Sequence, residues 1–127
     1  MREIATDSAP TSIGPYSQAI EANGFLFVSG QGAAEPETRE VVSDDITEQA
    51  EQVFQNITAI LEAAGASTDD VVKATVFLTD MDNYEAVNEV YAEHMNEPFP
   101  ARSAVQVSDL PIDIGVEIEV IAVAPEA

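Results

Sequence analysis

"ITEQAEQVFQNITAILEAAG" (residues 46–65), followed after a short polar break by "VVKATVFLT" (residues 71–79), decides how this chain folds. In the first stretch Ile46, Ala50, Val53, Phe54, Ile57, Ile60, Leu61 and Ala64 recur at spacings of three and four, with Glu and Gln opposite. That is one apolar stripe on an amphipathic helix. Asp45 followed by Glu48 supplies a capping pair at its start, and Gly65 supplies the left-handed stop at its end. The second stretch is short, β-branched and bounded by Asp residues, which predicts a strand. A helix with one greasy side next to a mostly apolar strand predicts helix packed on sheet.

Working outward from this pair, "GPYSQAIEANGFLFVSG" (residues 14–30) reads as two strands joined at Asn23-Gly24. Asn-Gly is the preferred pair for a type I′ hairpin, where both central residues take positive φ. Residues 25–29 are nearly all apolar, so this strand is expected to be central and covered on both faces, ending at "SGQG" (residues 29–32). The loop "AAEPETREVVSDD" (residues 33–45) follows, with a short strand expected at Val41 and Val42. Beyond the central pair, "DMDNYEAVNEVYAEHM" (residues 80–95) predicts a second helix with Tyr84, Val87, Tyr91 and Met95 inward. "ARSAVQV" (residues 101–107) and "VEIEVIAV" (residues 116–123) then alternate as two further strands, separated by "SDLPIDIG". The order strand, strand, helix, strand, helix, strand, strand implies an α+β sandwich, two helices packed on one face of a mixed sheet. At 127 residues the chain is expected to be one domain, 1–127.

Charge bounds the function. Four Lys and Arg stand against 24 Asp and Glu, a formal net charge of -20. A hydrophobic share of 46% still fills a core, so the charge does not imply disorder. In molar salt the Debye length shrinks to ~3 Å and the self-repulsion of such a surface is largely screened. The expectation is therefore a halophilic, salt-adapted cytoplasm. The same field opposes nucleic acid and anionic membranes, whose phosphates are held by clustered Lys and Arg. There is no cysteine, which excludes disulfides, thiolate metal sites and a Cys nucleophile. The start "MREIATDSAP" has no apolar signal core, and no apolar run reaches the ~18 residues of a membrane span, so a soluble, cytoplasmic protein is expected.

In so acidic a chain each cation asks for an explanation. The period of two in "ARSAVQV" puts Arg102, Ala104 and Gln106 on one face and Ala101, Ser103, Val105 and Val107 on the other. A guanidinium fixed by sheet backbone suits bidentate capture of a carboxylate or phosphate, or a structural salt bridge with one of the many acids. Glu117 and Glu119 share a face of the last strand. They form either its wet side or, if the two C-terminal strands are neighbours, a general base near Arg102. His94 is the only histidine and has no second His or Cys to complete a zinc set, so it reads as a helix residue without chemistry. "SGQG" lacks the lysine and the strand-loop-helix context of a phosphate loop. It reads as a strand end at which a ligand can approach backbone. Tyr16 is either core or a hydroxyl donor.

Several stretches together resemble the RidA/YjgF family of small enamine and imine deaminases. They are "APTSIGPYSQAI" (residues 9–20), "VSGQ" (28–31), "QVFQNITAILEAAG" (52–65), "VVKATVFLTDMDNYEAVNEVY" (71–91), and "FPARSAVQVSDLP" (99–111) with "VEIEVIAV". The likeness runs over nearly the whole chain in the family's order. It implies a chorismate-mutase-like α+β subunit, a homotrimer with sites in the clefts between subunits, and no cofactor or metal. It implies hydrolysis of 2-imino acids such as 2-iminobutanoate and 2-iminopropanoate to 2-oxo acids and ammonia. By the resemblance Arg102 is the carboxylate clamp, Glu117 positions water, and Tyr16, Ser29, Gly30 and Asn88 line the pocket. The main-chain N–H of Ala104 helps hold the carboxylate. Ala104 stands where many members have Cys, and "GQGA" replaces a Gly-Gln-Ile-Pro-like run. Branches thought to lack deaminase activity tend to lack the arginine. A role for Tyr16 at the leaving nitrogen is expected from its hydroxyl. The alternatives are a non-catalytic binder of 2-oxo acids, a ribonuclease and a chaperone-like surface; the charge disfavours the second, and the polar outer faces of the helices the third.

Overall fold

A computed structural model describes residues 1–126. The strands are β1 (Arg2–Ile4), β2 (Ala19–Ala22), β3 (Phe25–Gln31), β4 (Val71–Leu78), β5 (Ala101–Gln106) and β6 (Val116–Val123); the helices are α1 (Ile46–Ala63) and α2 (Tyr84–His94). They form one sheet in the spatial order β1, β2, β3, β6, β4, β5. Only β4 and β5 run parallel, with α2 as their crossover, and every other pair is antiparallel. The sheet is mixed, with two helices, as the pattern predicts.

Local chemistry sets the elements. Asn23 (φ 52) and Gly24 (φ 82) both sit in the left-handed region and turn β2 into β3, with Ala22 opposite Phe25. The Asp45 carboxylate accepts the Glu48 N–H at 2.9 Å and caps α1, while Gly65 (φ 81) ends it. Residues 80–83 do not belong to α2 as expected. Asp80 instead caps a single 3₁₀ turn over Met81–Asn83, and the α-helix starts at Tyr84. Val41 makes an isolated bridge to Ala34 rather than a strand.

The core lies between the helices and one face of the sheet. Val53, Phe54, Ile57, Ile60 and Leu61 of α1 and Val87, Val90 and Tyr91 of α2 meet Leu26, Val28, Ala74, Val76, Leu78, Val116, Ile118, Val120 and Ala122. Each large apolar side chain buried there contributes roughly 1.5–3 kcal/mol. His94 is part of this seam. Its ring stacks on Phe54 with centroids 4.8 Å apart, and its Nε2 lies 2.8 Å from Glu51, so it joins α2 to α1.

The opposite face of the sheet is uncovered in the single chain. Phe25 (41% exposed), Phe27 (45%), Val105 (43%) and Val123 (45%) stand on it. The expectation that β3 is covered on both faces is therefore corrected: its alternate residues Leu26 and Val28 are buried, and the others are not. Among the described residues no helix is long and apolar enough to cross a membrane.

Candidate active site

Strand register decides which side each candidate faces. Glu117 lies opposite Phe77, and Phe77 opposite Val105, all on the uncovered face. Arg102 lies opposite Ala74, and Ala74 opposite Val120, on the helix side. Thus β4 separates the two C-terminal strands, and within one chain Arg102 and Glu117 leave the sheet on opposite faces. The neighbouring-strand route to a base beside Arg102 does not hold.

On the uncovered side, at the end of β3 and β6, is a cleft of about 800 Å³. Tyr16, Ser29, Gly30, Glu117 and Glu119 line it, so four of the expected site residues come together there. The pairing of β3 with β6 is irregular between Val28 and Gln31, which opens the strand end beside Glu117. Gly30 makes room for the acid: a Cβ on it would fall 2.8 Å from Glu117 Cδ and closer still to Oε2. Burial and, after it, the neighbouring Glu119 charge push the Glu117 carboxyl above its ordinary value. Such a group exchanges a proton nearer to neutrality than a free glutamate does. The Ser29 hydroxyl is committed to the Ser17 carbonyl at 2.7 Å and holds the wall. Tyr16 is 53% exposed, and its hydroxyl accepts only a long bond from the Ile13 N–H at 3.4 Å, which leaves its own proton free to donate.

Buried amides fix these walls. Gln18, 3% exposed, accepts from the Thr6 N–H at 2.7 Å and donates to the carbonyls of Thr6, Ala9 and Pro10. That ties the N-terminal segment against the cleft. Asn56 of α1, fully buried, donates to the carbonyls of Gly32 and Ala34 and anchors the loop that leaves β3. Sequence reading passed over both. The signal for Asn56 was a polar residue at 53 + 3 and 60 − 4 on the apolar stripe, since an amide there must find backbone partners.

The second group of residues is on the helix side of the sheet edge. The Arg102 guanidinium lies over the Tyr91 ring at 4.8 Å and the Tyr84 ring at 5.5 Å, and its Nη2 donates to the Tyr84 hydroxyl at 2.9 Å. Tyr84, Asn88 and Tyr91 follow one another at helical spacing, so Asn88 shares the stripe of α2 that faces this arginine. The Tyr91 hydroxyl is buried with no hydrogen-bond partner, and burial, partly offset by the Arg102 charge, pushes the phenol up. Arg102 forms no ion pair: the only pairs among the described residues are Arg2 with Glu21 and His94 with Glu51. The salt-bridge reading of Arg102 is thereby corrected. Ala104 follows on the same face of β5 and is partly buried against the core.

Residues 6–124 match the family model described as Endoribonuclease L-PSP. A RutC family protein of Pyrococcus horikoshii is 55% identical over 123 residues, covering 96% of this chain and 98% of the relative. The chloroplastic Reactive Intermediate Deaminase A of Arabidopsis thaliana is 46% identical over 119 residues, covering 94% of this chain and 64% of its own length. Among solved structures, E. coli TdcF with bound serine superposes with a TM-score of 0.91 at 42% identity, covering 98% of this chain and 100% of that one.

Proposed function

The chain belongs to the RidA/YjgF/RutC family, and on that premise we propose that it hydrolyses reactive 2-imino acids and their enamine tautomers to 2-oxo acids and ammonia. Arg102 carries this reading. A half-buried guanidinium held between two tyrosine rings, unpaired in a chain of 24 acids, is a fork kept for an external carboxylate. Its place on the face opposite Glu117 is met by a second copy of the chain, whose cleft abuts the first copy's sheet edge. The uncovered apolar face supplies a surface for such a homotrimer. TdcF with bound serine shows that a relative of this fold takes a small amino acid.

An iminium carbon is already electrophilic, so its hydrolysis needs orientation, a positioned water and proton transfer. Arg102, with the N–H of Ala104, holds the carboxylate and converts a loose encounter into an oriented one. Glu117 takes a proton from the water as its oxygen bonds to the imine carbon, a step to which a placed base contributes roughly 10²–10⁴-fold. The carbinolamine hydroxyl then gives up its proton to solvent as the carbon–nitrogen bond breaks, the Tyr16 hydroxyl or bound water protonates the departing nitrogen and is reprotonated through solvent by the proton Glu117 took, and the oxygen remains as the oxo group. Gly30 and Ser29 shape the wall beside the reacting carbon, and Asn88 lines the arginine side.

The test is ammonia release from 2-iminobutanoate generated in place by threonine dehydratase. Wild type should accelerate it, and Arg102→Ala should lower kcat/KM by at least ~100-fold, the loss expected for a fixed charge-assisted grip. Tight binding of 2-oxobutanoate without acceleration would instead favour the sensor reading. The description Endoribonuclease L-PSP finds little support in this chain, because four Lys and Arg form no basic stripe and its one histidine is engaged with Glu51.

A further inference from the structure

The cleft holds a second arginine that the reaction above leaves unused. Arg39 is one of its lining residues and the only Lys or Arg among them. It sits on the returning side of a tight loop, next to the closing residue Glu40; the Arg39 N–H bonds to the Glu35 carbonyl and the Glu35 N–H to the Glu40 carbonyl, both at 2.9 Å. The base of that loop is anchored by Asn56 through Ala34. Its φ of 63° places a bulky side chain in the left-handed region, where glycine or asparagine sits with less strain. The hairpin loop closed by the Ala34–Val41 bridge accounts for one left-handed residue here, and an arginine fills the place that glycine would take more easily.

That side chain ignores the nearest acids. Glu35, Glu37 and Glu40 flank it in sequence, yet it forms an ion pair with none of them. Its guanidinium instead reaches back to Thr11, donating from Nη1 to the hydroxyl and from Nη2 to the carbonyl. Thr11 also lines the cleft, so the two bonds hold the fork over it. Only two of the five N–H donors of a guanidinium are recorded as used. Among the described residues Arg39 also makes no ion pair with Glu117 or Glu119, which line the same cleft.

We infer that Arg39 is a second anion grip of the cleft and selects 2-imino acids that carry a carboxylate on their side chain. This rests on the reading of the cleft as the imino-acid site. The substrate's own carboxylate goes to Arg102 of the neighbouring copy, the imine carbon lies by Glu117, and the distal carboxylate meets the free edge of Arg39. Without that cation the distal charge would face Glu117 and Glu119 alone. The substrate class is then the imines of acidic amino acids, such as an oxidase acting on aspartate or glutamate releases. Water adds its oxygen to the imine carbon, the carbon–nitrogen bond breaks, and ammonia leaves with protons taken from water, as for any imine.

The experiment is a pair of binding titrations by calorimetry at one fixed KCl concentration, using stable 2-oxo acids so that turnover is not required. The ligands are 2-oxoglutarate and oxaloacetate against 2-oxobutanoate. Wild type should bind the dicarboxylates more tightly. Arg39→Gly, which suits the positive φ, should cut the dicarboxylate-to-monocarboxylate ratio roughly ten- to a hundredfold, and Arg39→Lys should restore part of it. Equal weakening of both classes would make Arg39 a general offset to the cleft's acids and overturn the inference. A lowered melting temperature with the ratio unchanged would make it a structural strap and overturn it as well. Selective dicarboxylate binding without catalysis would refute the deaminase reading and leave Arg39 as the second anion grip of a binding site for dicarboxylic 2-oxo acids, and no binding of either class would refute both.

Discussion

Replacing Gly30 by Ala separates the position of the base from the stability of the fold. A Cβ built on Gly30 falls 2.8 Å from Glu117 Cδ and 3.1 Å from Cγ, and nearer still to Oε2, whereas ordinary contact begins at 3.4 Å. The carboxylate must therefore withdraw by about 1 Å, a displacement that costs a rate on the order of 100-fold when it moves a catalytic group. At 1.36 kcal/mol per factor of ten this is about 2.7 kcal/mol of transition-state stabilisation. The fold should hardly notice. The obstructing atoms belong to the free end of a half-buried side chain, the Gly30 φ lies outside the left-handed region, and alanine reduces the entropy of the unfolded chain by roughly 0.4–1 kcal/mol. The assay is kcat/KM for 2-iminobutanoate beside thermal denaturation, with Glu117→Gln as reference. Gly30→Ala should approach the Glu117→Gln rate while melting within a few degrees of wild type. Full activity in Gly30→Ala, or loss of activity only in proportion to lost stability, would refute the placing of Glu117 as the base.

Three further outcomes follow from charge. Because the Glu117 carboxyl is raised, the acid limb of the pH–rate profile should lie above the ordinary glutamate value of 4.5, and Glu119→Gln, which removes a like charge, should move that limb down; a limb that does not respond would remove Glu119 from the account. A raised folded value means the folded state holds the proton more tightly, so this contribution to stability is present below the ordinary value and lost as pH rises through the raised one; Glu117→Gln should then melt higher than wild type near neutrality. With a formal charge of -20, the melting temperature and the assembled state should both rise from dilute buffer to molar KCl, where the Debye length falls to ~3 Å, as read by thermal denaturation and sedimentation; indifference to KCl would defeat the halophilic expectation.

Most of the architecture was legible because it is written in short periods. The stripe from Ile46 to Leu61, the alternation of β6 and the Asn23-Gly24 turn each act within a few residues, where sterics and burial leave little choice. The relation between Arg102 and Glu117 is of another kind. Each strand shows which of its own residues share a face, but which face meets the helices depends on register with strands far away in the chain. β6 returns to pair with β3 and β4, displacing β5 to the edge, and nothing local to "ARSAVQV" announces that. The tyrosine cradle was half visible: Tyr84 and Tyr91 were expected to point inward, but their partner is an arginine across a parallel crossover. Arg39 escaped notice because its loop reads as ordinary turn chemistry, and only the sign of its φ and its reach to Thr11 single it out.

On the proposal that a second copy completes the pocket, the opposed orientation of Arg102 and Glu117 would also govern how damage is inherited. A polypeptide lacking the guanidinium still offers a sound glutamate, and one lacking the glutamate still offers a sound guanidinium. Co-expressed, two individually dead alleles would regain working pockets wherever an intact half of one sits against the intact half of the other. Activity would thus belong to the seam between chains, and neither gene product alone would own it.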